Sequence, residues 1–462
     1  MTIAERFARF CRSLRFEDLP AETVHRAKMC VLDMVGVMVA AWKEESTQVL
    51  FDYFAGLGGR EEATVFVSGK RLPAQNTALI NGAMSHSLEL EDHHSHRYSL
   101  NHPGVTTIPV ALALAERERA VGTDFLTAVV LGYEIGSRIG KVTRTGVLNL
   151  ERGFHESSVC GPFSSAATAG KLMDLDSPGF ARAFGIAGCL AAGNTEFKAN
   201  GAWTKRFQVG NASRNGIVAA ELAARGLTAP VTIFEGEHGF YRSYVLDGNY
   251  TLDGITRGLG DVWEINNIIY KPFGCAGVLH SAVTAAQNLF RKHHPQLGEI
   301  TRIEIRTSSK LLEEYAKPVE EKARPKSKVD AQFSLPYCVA VTLKRGQALV
   351  DEFEPGVFND PEVVDLARRV VALADPEIDR AWPARDPTEI SLVFRGGQVV
   401  TERVEAAKGD LSNPVTDEEL LEKFRYMSGR EFSHDTVRQV EDFLMNLETA
   451  PDVGRLAALL LP

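Results

Sequence analysis

The sequence lacks any concentration of positive charge. Its 51 Lys and Arg are outnumbered by 60 Asp and Glu, a formal charge of −9, and no Lys/Arg run exceeds two residues. That removes the electrostatic footprint of a nucleic-acid-binding protein, while a small anion held by a few converging cations stays possible. The six cysteines, Cys11, Cys30, Cys160, Cys189, Cys275 and Cys338, form no C-x-x-C pair, so neither a structural zinc site nor a disulfide framework is expected. The most apolar early run, MCVLDMVGVMVAAW at 29–42, contains Asp33 and is too short to span a bilayer, which takes about 20 residues. No secretory leader, G-x-S-x-G elbow, dinucleotide fingerprint or H-E-x-x-H motif is present. These absences predict a soluble, cytoplasmic, reduced protein with no membrane or nucleic-acid partner.

At 462 residues the chain exceeds one compact core, and its 44% apolar and 24% charged residues are ordinary for a globular protein, so two domains are expected. Up to about residue 260 the apolar spacing is helical and small residues abound, as in VTTIPVALALAERERA (105–120), FLTAVVLGYEIGSRIG (125–140), FARAFGIAGCLAAG (180–193) and GIVAAELAARG (216–226). Beyond about 265 the texture changes. EITRIEIRT (299–307) alternates at period two, and EISLVFRGGQVVTERVE (389–405) reads as two strands around a Gly-Gly turn. LPYCVAVTLKRG and NDPEVVDLARRVVALA read as helices, the second capped by Asp360 with Pro361 at its first position. The tail returns to helix: Thr416 and Glu419 stand at capping-box spacing, and TVRQVEDFLMNLE is amphipathic.

Chemistry concentrates in LELEDHHSHRYSLNHPG, residues 88–104. One reading is a metal site, with His94 and His96 as an H-x-H pair beside His93 and Asp92, although no second H-x-H supports it. A solvated polar loop is another. The third is acid/base work by Asp92 and His102: a carboxylate orients an imidazole, Pro103 keeps His102 extended, and Gly104 permits a tight turn before the next helix. Elsewhere, RGFHESSVCGPF puts His155 before a small-residue helix, and TEFKANGAWTKRFQ gathers Lys198, Lys205 and Arg206, for which surface lysines are the plain alternative. IIYKPFGCAGVLHSA carries Lys271, His280 and Cys275, the last a nucleophile only if a base accompanies it and otherwise structural.

Together these segments resemble the MmgE/PrpD family, which includes 2-methylcitrate dehydratase, cis-aconitate decarboxylase and iminodisuccinate epimerase. The resemblance rests on NGAMSHSLELEDHH with HPG, GYEIGSRIG, GFHESSVCGPFSSAATAGKLMDLD, GIAGCLAAGNTEF, GAWTKRFQVGNASRNGIVAAELAARGLTAP, EGEHGF, KPFGCAGVLHSA and AQFSLPYCVAVTL, in family order from about 76 to 345. It implies a mainly α fold: a large all-helical domain built from both termini (1–265 plus 402–462) with an inserted α+β lid (266–401). The site would lie between them, with no metal or other cofactor, in a homodimer.

The resemblance assigns Asp92, His102 and His155 as catalytic and Lys205 and Lys271 as substrate-binding, with Arg206 and Gln208 beside them. Three positions depart from the pattern: the acidic pair DD is Glu91-Asp92, a frequent His is Gln208, and a His of the decarboxylase is Ala276. The implied activity is a lyase on a small di- or tricarboxylate, with dehydration of a hydroxy acid placed first, His102 as base oriented by Asp92 and His155 as acid. Epimerisation, decarboxylation and carboxylate binding without turnover are the alternatives.

Overall fold

The computed structural model describes residues 1–95, 99, 101–145, 152–245, 250–382 and 385–461; His96 lies outside them. The longer helices among the described residues are α1 (Ile3–Ser13), α2 (Ala21–Ala40), α3 (Glu45–Leu57), α4 (Ala74–Ser85), α5 (Gly104–Glu118), α6 (Gly122–Thr145), α7 (Glu156–Leu172), α8 (Ser177–Leu190), α9 (Thr204–Ala224), α10 (His280–His293), α11 (Leu335–Arg345), α12 (Pro361–Arg368), α13 (Asp417–Ser428) and α14 (His434–Met445). The fold is mainly α. No helix among the described residues is long and apolar enough to cross a membrane.

α2 is buried on every face from Ala27 to Ala40, as its nearly unbroken apolar sequence requires. Its cover comes from the other end of the chain. α13, opened by the capping box of Thr416 and Glu419, lays Phe424 against Gly36, where an added Cβ would stand 3.2 Å from the ring, and brings Lys423 to 2.7 Å from Asp33. α7 and α9 pack so closely that a side chain at Gly216 would collide with Ser165. That contact explains the run of small residues in α7, whose hydroxyls bond neighbouring backbones instead of ending buried and unpaired: Ser165 donates to Thr106 O (2.8 Å) and Ser164 to Gly132 O (2.9 Å).

The buried apolar residues form two cores. One draws on residues 4–270, Val350 and 420–460. The other uses residues 273–404 and is built on a four-stranded sheet ordered β6-β5-β7-β8. Its strands are β5 (Ile300–Thr307), β6 (Val370–Ala374), β7 (Thr388–Phe394) and β8 (Val399–Val404), with β5 and β6 parallel and the other pairs antiparallel. β5 buries Ile303, Ile305 and Thr307 in strict alternation, while a register shift between Ile300 and Arg302 resets the pattern at its start. α10 packs on β7 and β8.

One expected helix is cut short. NDPEVVDLARRVVALA begins as predicted, with the Asp360 side chain capping α12, but ends at Arg368, and Val370–Ala374 becomes β6. β5 offers an open edge there, and the β-branched Val370-Val371 pair suits a pleated edge better than another helical turn. β8 also continues to Val404, across the expected boundary at 402.

Short strands complete the frame. β1 (Ala63–Thr64) pairs with β2 (Arg71–Leu72), and β3 (His93–His94) pairs with β4 (Ile268–Ile269). The β3–β4 pair ties the histidine-rich stretch to the chain just before Lys271. Gln332 adds a second tie, donating from Nε2 to Leu88 O (3.0 Å) and Gly274 O (3.1 Å).

Candidate active site

The chain leaves α4 at His86 and runs to His94 entirely buried. Within it Glu89 holds φ at 56°, a left-handed backbone uncommon for a residue with a Cβ and a conformation that concentrates at functional sites. Its carboxylate accepts from Lys205 at the start of α9 and lies 3.2 Å from Lys271 Nζ. Lys271 also donates to Glu91 Oε1 at 2.9 Å. The same oxygen lies 3.0 Å from His86 Nδ1 and 3.5 Å from His102 Nδ1. Burial works to raise the Glu91 pKa, but Lys271 and His86 hold it well below the usual carboxylate range. Two lysines and two carboxylates, all buried, therefore face each other beside imidazoles; burial, then Lys271 and Arg206, push the Lys205 pKa well below the usual amine range, and the Glu89 carboxylate in contact with it favours the ammonium.

His102 stands before α5. Its Nδ1–H donates to the main-chain carbonyl of Asp92 (2.9 Å), and its backbone N–H donates to Ser157 Oγ (3.0 Å). A carbonyl can only accept, so Nδ1 carries the proton and Nε2 keeps a lone pair while the ring is neutral. Burial first, and Lys271 second, lower its pKa to about 4.

His155 likewise stands at the entrance of a helix, at the N-cap position of α7. Its Nδ1 meets Gln208 Oε1 (3.2 Å) and Ser158 Oγ (2.7 Å). The amide is oriented by Asn194 N–H, which donates to Gln208 Oε1 (3.0 Å), so Nε2 of His155 is again the unprotonated nitrogen. Burial and the neighbouring His102 lower its pKa to about 3. Between them sits His86, 5.1 Å from the His102 ring and stacked on His155 at 5.6 Å with 14° between planes. His86 Nε2 is buried with no hydrogen-bond partner among the described residues.

The structure thus brings His102, His155, Lys205 and Lys271 together and changes the roles of three other expected residues. Asp92 was expected to orient His102 through its carboxylate, but only its main-chain carbonyl does so. The carboxylate turns into the protein, accepts from Tyr133 O–H, and is raised to about 7 by burial. Gly104 is needed for that placement rather than for a turn: any side chain there would strike Asp92 Oδ1 and the Tyr133 hydroxyl. The acid beside His102 is Glu91. Arg206 is committed to Ser46 Oγ (2.6 Å) and Glu44 (3.2 Å) at the start of α3. Gln208 serves His155.

The histidine cluster disperses. His93 Nδ1 bonds His94 O (3.0 Å), and His94 Nε2 meets Glu264 (3.2 Å), which also accepts from Lys141 (2.5 Å). Among the described residues, the set whose ligand atoms lie within 4.8 Å of one another is His86, Glu91 and His102. A cation there would compete with the Lys271 ammonium for the same Glu91 oxygen. Cys275 is fully buried, and the nearby His280 Nε2 lies 3.3 Å from its carbonyl. It offers no exposed nucleophile.

His86 and Glu89 were not singled out from sequence, and Glu91 was noted only as a departure from the acidic pair. The acids at 89, 91 and 92 were a visible signal, but only the fold shows that the first two face the lysines.

The depressed histidines give a measurable expectation. The imidazole resonances of His102 and His155 should show neutral Nδ1–H tautomers across pH 5–8 rather than titrate near 6.5. A bound trianion favours the protonated ring, so tricarballylate should move at least one of the two midpoints upward. Free-enzyme midpoints between 6 and 7 would contradict this electrostatic account.

Known proteins point the same way along the whole chain. The MmgE/PrpD N-terminal domain matches residues 5–253 and the MmgE/PrpD C-terminal domain matches 273–449. The cis-aconitate decarboxylase-like protein oryM of Aspergillus oryzae is 30% identical over 97% of this chain and 95% of its own length. Cis-aconitate decarboxylases of Aspergillus terreus and Homo sapiens are 29% and 28% identical, each over 99% of this chain and over 96% and 94% of their own lengths. With both domains matched in order and relatives aligned nearly end to end, the chain belongs to the MmgE/PrpD family.

Proposed function

We propose that the protein is a lyase that removes carbon dioxide from a small tricarboxylate of the cis-aconitate type, without a cofactor. The observation that carries the reading is the convergence of Lys205 and Lys271 on one buried acid pair beside two neutral histidines. The activity for which the relatives are named supports decarboxylation over the dehydration expected from sequence. In such an acid the departing carboxylate is allylic to a carbon–carbon double bond conjugated with a second carboxylate. As the C–C bond breaks, its electron pair forms a new double bond, the original one shifts, and negative charge spreads onto the conjugated carboxylate. Lysine ammoniums in a water-poor site stabilise that charge. The remaining step is one proton to carbon, given by His102 after the trianion has raised its affinity for a proton, with His155 supporting the opposite side of the substrate.

Dehydration of a hydroxy tricarboxylate is the second reading. It is favoured by Ala276 at a position where the decarboxylase carries histidine, and by the neutral resting histidines, which suit removal of a proton from carbon. Incubation with cis-aconitate, citrate and 2-methylcitrate, followed by proton NMR and trapping of carbon dioxide, separates the two. A methylene-bearing dicarboxylate with one equivalent of carbon dioxide supports decarboxylation, an alkene without it supports dehydration, and no change in any of the acids sinks both.

A further inference from the structure

Beyond the lysine–histidine cluster lies a cavity of about 350 Å³ whose walls include Phe197, Lys198, Glu314, Tyr315, Lys322 and Phe333. Two aromatic rings separate it from the cluster and touch both. Phe197 packs edge-on against His155, with centroids 5.5 Å apart. The Phe333 ring lies 5.3 Å from Lys205 Nζ and carries Tyr315 stacked on it at 6.2 Å. The cavity thus adjoins His155 and Lys205 through these two rings.

Its cations are not equivalent. Lys322 donates to the Phe333 carbonyl at 3.0 Å. Lys198, on the short helical turn Glu196–Ala199, has no carboxylate within 4.0 Å among the described residues, and Glu314 acts on it only at longer range. A substrate with three carboxylates needs a third positive partner. Lys205 and Lys271 supply two, and Arg206 is held by Glu44 and Ser46. Lys198, exposed to solvent at the wall of the cavity that Glu314 and Asp330 also line, is its uncommitted ammonium.

We propose that this cavity is an outer carboxylate subsite, in which Lys198 binds the substrate carboxylate farthest from the reacting carbon and so selects tricarboxylates over dicarboxylates. The inference rests on the tricarboxylate reading above, but it concerns binding and is testable without turnover. Tricarballylate, a saturated tricarboxylate, and methylsuccinate, which lacks one of its end carboxylates, would be titrated calorimetrically into the full-length wild type, Lys198→Met and Lys198→Arg, with melting temperatures confirming that each variant folds.

The wild type should bind tricarballylate about tenfold or more tighter than methylsuccinate, a difference of about 1.4 kcal/mol. Lys198→Met should erase that preference and Lys198→Arg should restore most of it. A preference that survives Lys198→Met overturns the subsite while leaving the tricarboxylate reading intact. A preference that depends on Lys198 in an enzyme that turns over no tricarboxylate upholds the subsite and overturns that reading. If the wild type shows no preference, the subsite is wrong.

Discussion

Replacing His102 by alanine is expected to lower kcat/KM for the tricarboxylate by about 10²- to 10⁴-fold, the usual effect of a positioned proton-transfer group. The loss should fall mainly on kcat, because the proposed holders of the carboxylates, Lys205 and Lys271, are untouched. The fold should tolerate the change. His102 receives its backbone support from Ser157 through the main-chain N–H, which alanine keeps, so the loss of stability is confined to the ring's contacts with His86 and His93. His155→Ala should leave more residual activity if His102 alone delivers the proton to carbon. A folded His102→Ala enzyme within threefold of wild type would remove this residue from the chemistry and leave His155 as the candidate.

The second large effect is expected at Lys271, and on stability as well as activity. Lys271 is 2% exposed and is the shared partner of Glu89 and Glu91. Removing one member of a buried ion pair typically costs about 3–5 kcal/mol, because the remaining charge is left without compensation. Lys271→Met should therefore melt markedly lower than wild type and have no measurable turnover. Adding Glu91→Gln removes much of the stranded charge, so the double variant should recover a large part of the stability while staying inactive, since the ammonium proposed to receive a carboxylate is still missing. The double-mutant comparison isolates the pair from other losses. Equal melting temperatures for wild type and Lys271→Met would show that the Glu89–Glu91–Lys271 cluster is not held as described.

Local signals were legible in the sequence where one element decides them. The 3.6-residue spacing located α5, α6, α8 and the C-terminal half of α9; period two located β5 and the β7–β8 hairpin; Asp360-Pro361 and Thr416/Glu419 marked helix starts that the structure reproduces. What escaped depends on residues far apart in the chain. β6 exists because β5 has an open edge, and the two-residue strands β3 and β4 have no period to detect.

The site shows the same division. HPG announced His102, but which carboxylate faces it turns on the direction of Asp92, and that is set by Tyr133, 41 residues further on. Arg206 looked like a third cation for the substrate because Glu44 and Ser46, 160 or more residues earlier, are its partners only in the folded chain. Lys205 and Lys271 were candidates from their local segments, but only the family resemblance assigned them to substrate binding, because surface lysine was the plain alternative for Lys205.

The closure of α2 by α13 also bears on how the chain is made. Gly36 and Phe424 touch, yet roughly 390 residues separate them. At a synthesis rate of about 5–20 residues per second, α2 emerges roughly 20–80 s before its covering helix exists. Through that interval its apolar face at Gly36 lacks its native neighbour, so the helical core cannot be completed on the ribosome until the last few dozen residues arrive. Nascent chains stalled before residue 416 should be the form of this protein most dependent on chaperones.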